Sequence, residues 1–264
     1  FIKNIQAQDL FEKKDFLLLA VSGGKDSVAL CELCFQAGFN FEIAHCNFKL
    51  RGEESDRDEN FVRELSKQYG VDVCVKEFET EKYAQENKIS IQVAARELRY
   101  AWFNDLLISA RGEAATDNLR NCYLLTAHHA DDNIETLLMN FFKGTGIKGL
   151  QGILPKQGKI IRPLLFAKRE DIERFIKDNH LKFVEDSSNN SDKYTRNYFR
   201  HQLIPAVEKN FPQAKENLRK KSERVREREM LYQQSLQYHK KNLLEYKGNE
   251  IHIPVLKLSK SKPV

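Results

Sequence analysis

The stretch Phe16–Leu30, FLLLAVSGGKDSVAL, decides the fold of this chain. Its apolar run predicts a short strand that is covered on both faces, and the run stops at Ser22. Gly23 and Gly24 follow, and adjacent glycines permit positive φ and let a ligand approach the backbone without meeting a Cβ. An apolar helix face begins at Val28, so backbone amides and the positive end of a helix meet at one point. This arrangement is typical of a phosphate site.

The polar side chains of the loop indicate how it would hold a phosphate. Ser22 and Ser27 supply hydroxyl groups, Lys25 supplies a positive charge, and Asp26 is a ligand for the Mg²⁺ that accompanies pyrophosphate. The common loop G-x-x-x-x-G-K-S/T is absent, because Lys25 is followed by Asp26. The alternative is a plain Ser-Gly-Gly turn that caps a helix. The complete string SGGKDS between a strand and a helix favours the phosphate site.

The composition is that of a globular protein. A chain of 264 residues can form one large domain, or one medium domain with an appendage. The sequence contains no run of about 18 uncharged apolar residues and no block typical of a signal peptide. We therefore predict a cytoplasmic protein without a membrane partner. Because the chain begins at Phe1 and not at methionine, we expect a few native residues to be missing.

The net charge of +5 divides unevenly along the chain. Residues 1–205 carry 29 Lys and Arg against 31 Asp and Glu, whereas residues 206–264 carry 14 against 7. Positive charge is thus concentrated in the tail, which predicts a near-neutral catalytic domain over 1–205 and a basic helical extension over 206–264 that binds a polyanion.

Strands and helices alternate along the first 205 residues. The predicted strands cover 16–20, 41–46, 71–75, 122–126 and 159–165, and the predicted helices cover 56–69, 89–109, 131–142 and 168–179. This order predicts an α/β fold with a doubly wound parallel sheet and helices on both faces. Ligands of such sheets bind at the carboxyl ends of the strands, which are Ser22, His45 and His128 here.

The stretch Thr126–Thr136, TAHHADDNIET, opens a helix with two acids. Asp131 and Asp132 in the first turn favour the helix dipole, and one turn of helix places Glu135 and Thr136 near the face of Asp132. These groups form a polar edge that could bind magnesium or an ammonium group. The apolar positions of the same helix are predicted to be core residues: Ile134, Leu137, Leu138, Phe141 and Phe142.

Two arginines, Arg96 and Arg99, lie three residues apart in the predicted helix 89–109. They fall on the side away from a predicted apolar stripe that comprises Ile91, Ala95, Leu98, Trp102 and Leu106. A solvated helix face and an anion-binding face explain this spacing equally well.

Two segments are candidates for binding RNA. Residues 185–205 combine arginine with aromatic residues, a combination that suits stacking on unpaired bases and pairing with phosphate. Their candidate residues are Tyr194, Arg196, Asn197, Tyr198, Arg200 and His201. The stretch KENLRKKSERVRERE, residues 215–229, predicts a cationic helix that includes Lys220 and Arg224, and a solvated connector helix is the alternative.

Six stretches together resemble the tRNA(Ile)-lysidine synthetases, a family of N-type ATP pyrophosphatases. In chain order they are SGGKDS, HCNFKLRGEESDRD, AARELRY, AHHADDNIET, GTGIKGLQGI and DSSNNSDKYTRNYFR, and they lie within about residues 15–205. The family usually has a second histidine where Phe48 stands and often a glutamine where Asn133 stands. Beyond residue 206 the resemblance is limited to a helical connector that leads to tRNA-binding parts.

The resemblance implies an adenine nucleotide α-hydrolase-like, Rossmann-like fold and an ATP-dependent ligase. Its reaction joins free L-lysine to the wobble cytidine of an isoleucine tRNA through an adenylated base, releasing pyrophosphate and AMP. ATP would occupy the loop, with Mg²⁺ on Asp26 and on Asp131 or Asp132. Arg96, Arg99 and His128 would contact the α-phosphate or the base, and the remaining acids would attract the lysine ammonium group. A homodimer is left open.

Two other functions are weighed against this one. A tRNA 2-thiolating enzyme would share the loop but needs catalytic cysteines or an iron–sulfur cluster, for which the C-x-x-C of Cys31 and Cys34 is the support. A protein that binds RNA without catalysis is the second alternative, and the intact SGGKDS and AHHADDNIET argue against it.

Overall fold

The structure is a computed structural model that describes residues 1–113, 121–185, 195–248 and 250–256. It consists of two compact units. The first comprises Phe1–Asn133 and Leu154–Asn197, and the second comprises Ile134–Ile153 and Tyr198–Val264. A catalytic domain over 1–205 with an extension over 206–264 remains a prediction.

A six-stranded sheet forms the centre of the first unit. Its strands are β1 (Phe16–Ala20), β2 (Phe41–Asn47), β3 (Val73–Glu77), β4 (Cys122–Leu125), β5 (Lys156–Gln157) and β6 (Ile160–Ile161). Their order is β3-β2-β1-β4-β6-β5, with β5 antiparallel to β6 and all other pairs parallel. The predicted α/β fold with a mostly parallel sheet is confirmed. The fifth predicted strand, 159–165, is shorter than expected, and the edge strand β5 was not predicted.

The helices follow the predicted alternation, with several short helices that were not predicted. They are α1 (Ile2–Ala7), α2 (Lys25–Gln36), α3 (Glu53–Tyr69), α4 (Thr80–Asn87), α5 (Ile91–Glu113), α6 (Ala130–Phe142), α7 (Ile147–Leu150), α8 (Arg169–Asp178), α9 (Thr195–Tyr198), α10 (Ile204–Asn210) and α11 (Ala214–Leu243). The helix α4 was not predicted, because its sequence, TEKYAQEN, is almost entirely polar.

The middle of the sheet is covered on both faces, as the apolar run in β1 predicts. Leu17 and Leu19 are fully buried and pack with residues of α2, α3 and α8, whereas Leu18 packs with residues of α5 on the opposite face. Successive strand residues point to opposite faces, so this run serves two core layers. Burial of each leucine stabilises the fold by about 1.5–3 kcal/mol.

The apolar face of α5 differs from the predicted stripe. Ile91 is exposed, and the buried positions are Ala94, Trp102, Phe103 and Leu107. The face is rotated because Trp102 and Phe103 together fill the layer against Leu18 and Leu124 of the sheet. The arginines Arg96 and Arg99 are both exposed, so they do lie away from the core.

The second unit is helical with a short hairpin. It contains most of α6, together with α7, a π-helical segment (Phe199–Leu203), α10 and α11, and the hairpin pairs β7 (Glu245–Lys247) with β8 (Glu250–His252). In α6 the prediction of core residues holds for Ile134 and Leu137 and is wrong for Phe141 and Phe142. These two rings are 61% and 64% exposed, because the buried side of the helix ends one turn earlier.

The tail forms a longer helix than predicted, since α11 runs from Ala214 to Leu243. In the described ranges no helix combines the length and the apolar character that a membrane crossing requires.

Candidate active site

The glycine loop joins β1 to α2 and leaves the helix start open. Gly24 is the N-cap of α2 and provides no side-chain cap, so the first-turn amides have no acceptor within the helix. The hydroxyl of Ser27 donates to the Gly24 carbonyl at 2.8 Å and lies 3.4 Å from the Ser22 hydroxyl. Backbone amides and two hydroxyl groups therefore converge at the end of β1.

The two glycines of this loop are required for different reasons. Gly23 has a φ of +89°, and its carbonyl accepts a hydrogen bond of 3.0 Å from the Val184 amide. A Cβ on Gly23 would stand 2.7 Å from Val184 Cγ2, a distance at which the neighbouring side chain must shift. A Cβ on Gly24 would meet Ser22 Oγ at 3.5 Å, an ordinary contact. The fold itself requires Gly23, whereas the absence of a Cβ at Gly24 keeps the space over the helix start open for a ligand.

Lys25 forms an ion pair with Glu173 of α8. Both side chains are partly exposed and lie beside an open groove of about 590 Å³, which Ile176, Lys177 and His180 also line. The ammonium group of Lys25 is thus held at the surface, within the solvent-accessible part of the first unit.

Three carboxylates surround one buried histidine, His129. Its Nε2 atom lies 3.5 Å from Asp132 Oδ2 and 3.9 Å from Asp26 Oδ2, and its Nδ1 atom lies 3.8 Å from Asp131 Oδ2. The His129 amide also donates to Asp132 Oδ2 at 3.0 Å. Although Asp26 comes from α2 and the other two acids from α6, the parallel pairing of β1 with β4 brings both helix starts to the same sheet edge.

The carboxyl group of Asp26 is in an unfavourable position in this structure. Burial raises its pKa, the charge of His129 opposes that shift, and the nearby Asp132 raises the pKa further. Its Oδ1 atom is buried and has no hydrogen-bond partner among the described residues. A cation at this position would relieve both costs.

The pKa of Asp132 is shifted in the opposite direction to that of Asp26. Its burial alone would raise the pKa, but the charge and the amide of His129 outweigh burial, so the pKa lies below its usual value. Mg²⁺ is commonly held by one or two carboxylates together with substrate phosphates, and Asp26 with Asp132 fits that set. No group of three or more His, Cys, Asp and Glu side chains arranged to hold a metal occurs among the residues whose placement is described.

Sequence reasoning selected His128 and missed His129. His128 shares a hydrogen bond of 2.9 Å with the Thr126 hydroxyl, and burial lowers its pKa to about 4. Its ring is therefore neutral at physiological pH. The available signal for His129 was the helix start H-A-D-D, in which Asp132 three residues later caps the His129 amide.

Asp131 joins two elements of the first unit. Its Oδ2 atom accepts a hydrogen bond of 2.9 Å from the amide of Arg169, the first residue of α8. This contact stabilises the start of α8 beside the start of α6.

The arginines Arg96 and Arg99 rest on aromatic rings. Arg96 lies over Tyr100 at 5.0 Å, and Arg99 lies over Phe48 at 5.2 Å. Phe48 in turn stacks on Phe78 at 5.5 Å. The position at which the resemblance leads one to expect a histidine thus supports a guanidinium group.

The predicted RNA-binding residues are in diverse environments. The charge of Arg196 acts on His128 and Asp132, so this residue is near the acidic cluster, and Asn197 is buried. Lys220 lies 3.5 Å from Glu216, Arg224 is exposed, and Tyr194 falls outside the described residues.

Arg200 and Glu135 form a buried ion pair in the second unit. Arg200 Nε donates to Glu135 Oε1 at 2.7 Å and Nη2 donates to Oε2 at 2.9 Å, while Glu135 is only 1% exposed. Glu135 therefore does not present the exposed polar edge that the helix spacing predicts.

Cys31 and Cys34 lie in the core of the first unit, each fully buried. Burial raises the pKa of both thiols far above the usual value, so neither becomes a thiolate at neutral pH. The C-x-x-C therefore gives the thiolating alternative no reactive group.

Comparison with known proteins agrees with this site. A family model described as a PP-loop domain matches residues 1–207. The tRNA(Ile)-lysidine synthase of Bacteroides thetaiotaomicron is 42% identical over 250 residues, which are 95% of this chain and 57% of the relative. That of Chlorobaculum tepidum is 40% identical over 215 residues, 80% of this chain and 62% of the relative. The chain thus spans about half the length of several curated relatives that it matches.

Among solved structures, the U34-tRNA thiolase NcsA of Methanococcus maripaludis, solved with its 4Fe-4S cluster, superimposes with a TM-score of 0.62 at 19% identity. The match covers 84% of this chain and 77% of the thiolase. At that identity the likeness shows the fold alone, an α/β fold with a mostly parallel sheet. With the open glycine loop, the acidic cluster and the match over residues 1–207, the chain belongs to the family of PP-loop domains, and its relatives at about 40% identity are tRNA(Ile)-lysidine synthases.

Proposed function

We propose that this protein is a tRNA(Ile)-lysidine synthase, an ATP-dependent ligase that joins lysine to the wobble cytidine of an isoleucine tRNA with the anticodon CAU in the cytoplasm. The observation that carries the proposal is the buried, unpartnered Oδ1 atom of Asp26 beside the open glycine loop, in a chain about 40% identical to such synthases. A PP-loop domain binds ATP. The carboxylate of Asp26 would face a cation at the phosphates of that ATP.

The loop residues serve the first step. In that step the 2-carbonyl oxygen of cytidine attacks the α-phosphorus of ATP, and pyrophosphate leaves with the electron pair of the broken P–O bond. The first-turn amides of α2 and the hydroxyls of Ser22 and Ser27 donate to oxygens on which negative charge increases. Lys25 is on the same loop and exchanges Glu173 for a phosphate oxygen.

Magnesium fits the acidic pair. Asp26 and Asp132 would hold Mg²⁺, which when bound supplies charge neutralisation at the phosphates. His129 would help to orient both carboxylates, because its ring is buried and its Nε2 atom lies 3.9 Å from Asp26 Oδ2 and 3.5 Å from Asp132 Oδ2. Because the pKa of Asp132 is lowered, this residue stays ionised. The pKa of Asp26 is raised, so a nearby cation stabilises its ionised form more.

The second step forms the C–N bond. The ε-amine of lysine attacks C2 of the adenylated base, the C2–O bond breaks, AMP leaves, and the amine loses a proton. Asp131, the carboxylate of the cluster that is not assigned to Mg²⁺, attracts the lysine ammonium group toward this edge of the sheet. Arg96 and Arg99, each held on an aromatic ring, are candidates for contacts with the α-phosphate or the base.

The tRNA contacts are proposed for the segment that follows the site. Arg196 supports this, because its charge already acts on His128 and Asp132. Lys220 and Arg224 of α11 would add nonspecific attraction to the phosphate backbone, which makes affinity fall steeply with salt.

Pyrophosphate release from ATP by the purified protein tests the proposal. The expected result is release that requires an isoleucine tRNA transcript, that continues beyond about one equivalent per RNA only when lysine is present, and that falls at least ~100-fold in Asp26→Asn. Arg174→Gln is the matched control, because Arg174 is an exposed residue of α8. Release that is independent of RNA would contradict the proposed substrate, and a protein that binds tRNA without turnover would favour the noncatalytic alternative.

A further inference from the structure

A buried arginine, Arg162, lies at the end of β6. Arg162 is only 6% exposed, and its Nη1 atom donates to the Leu154 carbonyl at 2.7 Å. Its guanidinium group also bonds the Tyr100 side chain, whereas its Nε atom is buried and has no hydrogen-bond partner in the described part of the chain. No carboxylate pairs with Arg162 among those residues, so the charge is compensated only by neutral groups.

A nearby positive charge increases the free-energy cost of burying the charged Arg162 side chain. The charge of Arg96 is near enough to lower the pKa of Arg162, and the charge of Arg162 in turn contributes to the lowered pKa of His128. The positive charge of Arg162 is therefore repelled by that of Arg96 and disfavours protonation of His128. Burial of an unpaired charge is expensive, and proteins keep such a group where a ligand of opposite charge binds.

The sheet places Arg162 at the ligand-binding edge. The Thr126 amide donates to the Ile161 carbonyl at 3.0 Å, so Arg162 follows β6 beside the end of β4, next to Thr126 and His128. The glycine loop follows β1, on the other side of β4. Parallel strands lie about 4.8 Å apart, so Arg162 is about 10 Å along this edge from the strand that bears the loop. That separation is on the scale of one small substrate.

We propose that Arg162 binds an oxyanion of a substrate, with the Tyr100 side chain and the Leu154 carbonyl holding its guanidinium group in place. The shared chemistry is a carboxylate or phosphate oxygen, and its sources are the α-carboxylate of lysine and a phosphate of ATP or RNA. This inference rests on the proposed function for the identity of those substrates. The ligand would accept a hydrogen bond from the Nε atom that now lacks one.

Equilibrium binding tests the proposal independently of turnover. Dissociation constants for lysine, for a nonhydrolysable ATP analogue and for the tRNA transcript are measured with the full chain as wild type, Arg162→Gln, Arg162→Lys and the exposed control Arg174→Gln. In Arg162→Gln we expect one probe to bind about 30-fold more weakly, as for the loss of a buried charge-assisted contact, and the other two to bind as before.

The affected probe identifies the source of the oxyanion. If the probe is lysine, wild type should also bind lysinamide, which lacks the carboxylate, about 30-fold more weakly than lysine, and Arg162→Gln should lose that preference. Weaker binding of the ATP analogue or of the tRNA would assign the site to a phosphate.

Constants within twofold of wild type for all probes, in folded Arg162→Gln, would overturn the proposal. If circular dichroism shows that this variant is unfolded, Arg162→Lys decides, because it keeps the charge but has no Nε donor. It should weaken the same probe about fivefold, and an unchanged constant would again refute the inference. A wild type that binds the probes but never releases pyrophosphate would refute the proposed function and leave the anion site standing.

Discussion

Substitution of Gly23 by alanine should destabilise the first unit through two separable effects. The φ of +89° costs a residue with a Cβ about 1–2 kcal/mol. The new Cβ would also stand 2.7 Å from Val184 Cγ2 and 3.2 Å from Phe61 Cδ1, and overpacking of this kind costs about 1–3 kcal/mol. The expected sum is about 2–5 kcal/mol, which lowers Tm by about 5–15 °C for a domain of this size.

The matched control for Gly23→Ala is Gly70→Ala. Gly70 ends α3 with a φ of +65°, and a Cβ there would meet nothing within 4 Å. This variant therefore measures the backbone cost alone, about 1 kcal/mol, or a decrease in Tm of about 2–4 °C.

Thermal and urea unfolding of both variants, with Val184→Ala and the double variant Gly23→Ala/Val184→Ala, complete the test. The contact with Val184 predicts a favourable coupling of about 1 kcal/mol or more in the double variant. Equal destabilisation by Gly23→Ala and Gly70→Ala, with no coupling to Val184, would refute the close approach of the Val184 segment to the loop.

Three further predictions concern the loop, the second unit and pH. Gly24→Ala should cost at most about 1 kcal/mol of stability, because its Cβ has room, yet should weaken ATP binding by about 10-fold or more in calorimetry, since that Cβ fills the open space over the helix start. Glu135→Gln should cost about 1.5–3 kcal/mol by weakening the charge-assisted hydrogen bonds that Arg200 donates to this buried carboxylate, whereas Glu216→Gln, in an exposed pair, should leave urea unfolding nearly unchanged. The pKa of His128 is about 4 in the folded protein and 6.5 in the unfolded chain, so the unfolded state binds the proton first as the pH falls. The free energy of unfolding should therefore decrease by about 2 kcal/mol from pH 7 to pH 5. His128→Gln should remove that share of the decrease. Intact ATP binding in Gly24→Ala, a harmless Glu135→Gln, or an unchanged pH dependence in His128→Gln would each contradict the corresponding contact.

The central fold was predictable because local and long-range preferences agree there. The apolar run Phe16–Ala20 can be satisfied only between two layers, and the loop that follows can continue only as a helix start. In contrast, α4 is stabilised by its packing against α5 and not by an apolar stripe of its own, so its polar sequence does not reveal it. The buried face of α5 is rotated from the predicted one because of the shapes of Trp102 and Phe103, which the spacing of apolar residues does not reveal.

The candidate site was predictable in composition and less so in geometry. The sequence identified Asp26, Asp131 and Asp132, but not that they surround His129, because that arrangement depends on the pairing of β1 with β4. Contacts between residues distant in sequence could not be predicted either. Arg200 neutralises Glu135, 65 residues away, and Glu173 pairs with Lys25. The sequence does not distinguish Arg162 from other arginines. Its distinguishing features are its burial and an Nε atom that has no hydrogen-bond partner among the described residues.

Mass analysis of the isoleucine tRNA after incubation with the protein, ATP and lysine tests the central claim most directly. We expect a lysine adduct on the wobble cytidine that forms with wild type and with Arg174→Gln, and that is absent with Asp26→Asn. An unmodified wobble cytidine under conditions in which the wild-type protein binds ATP, lysine and the tRNA would contradict it.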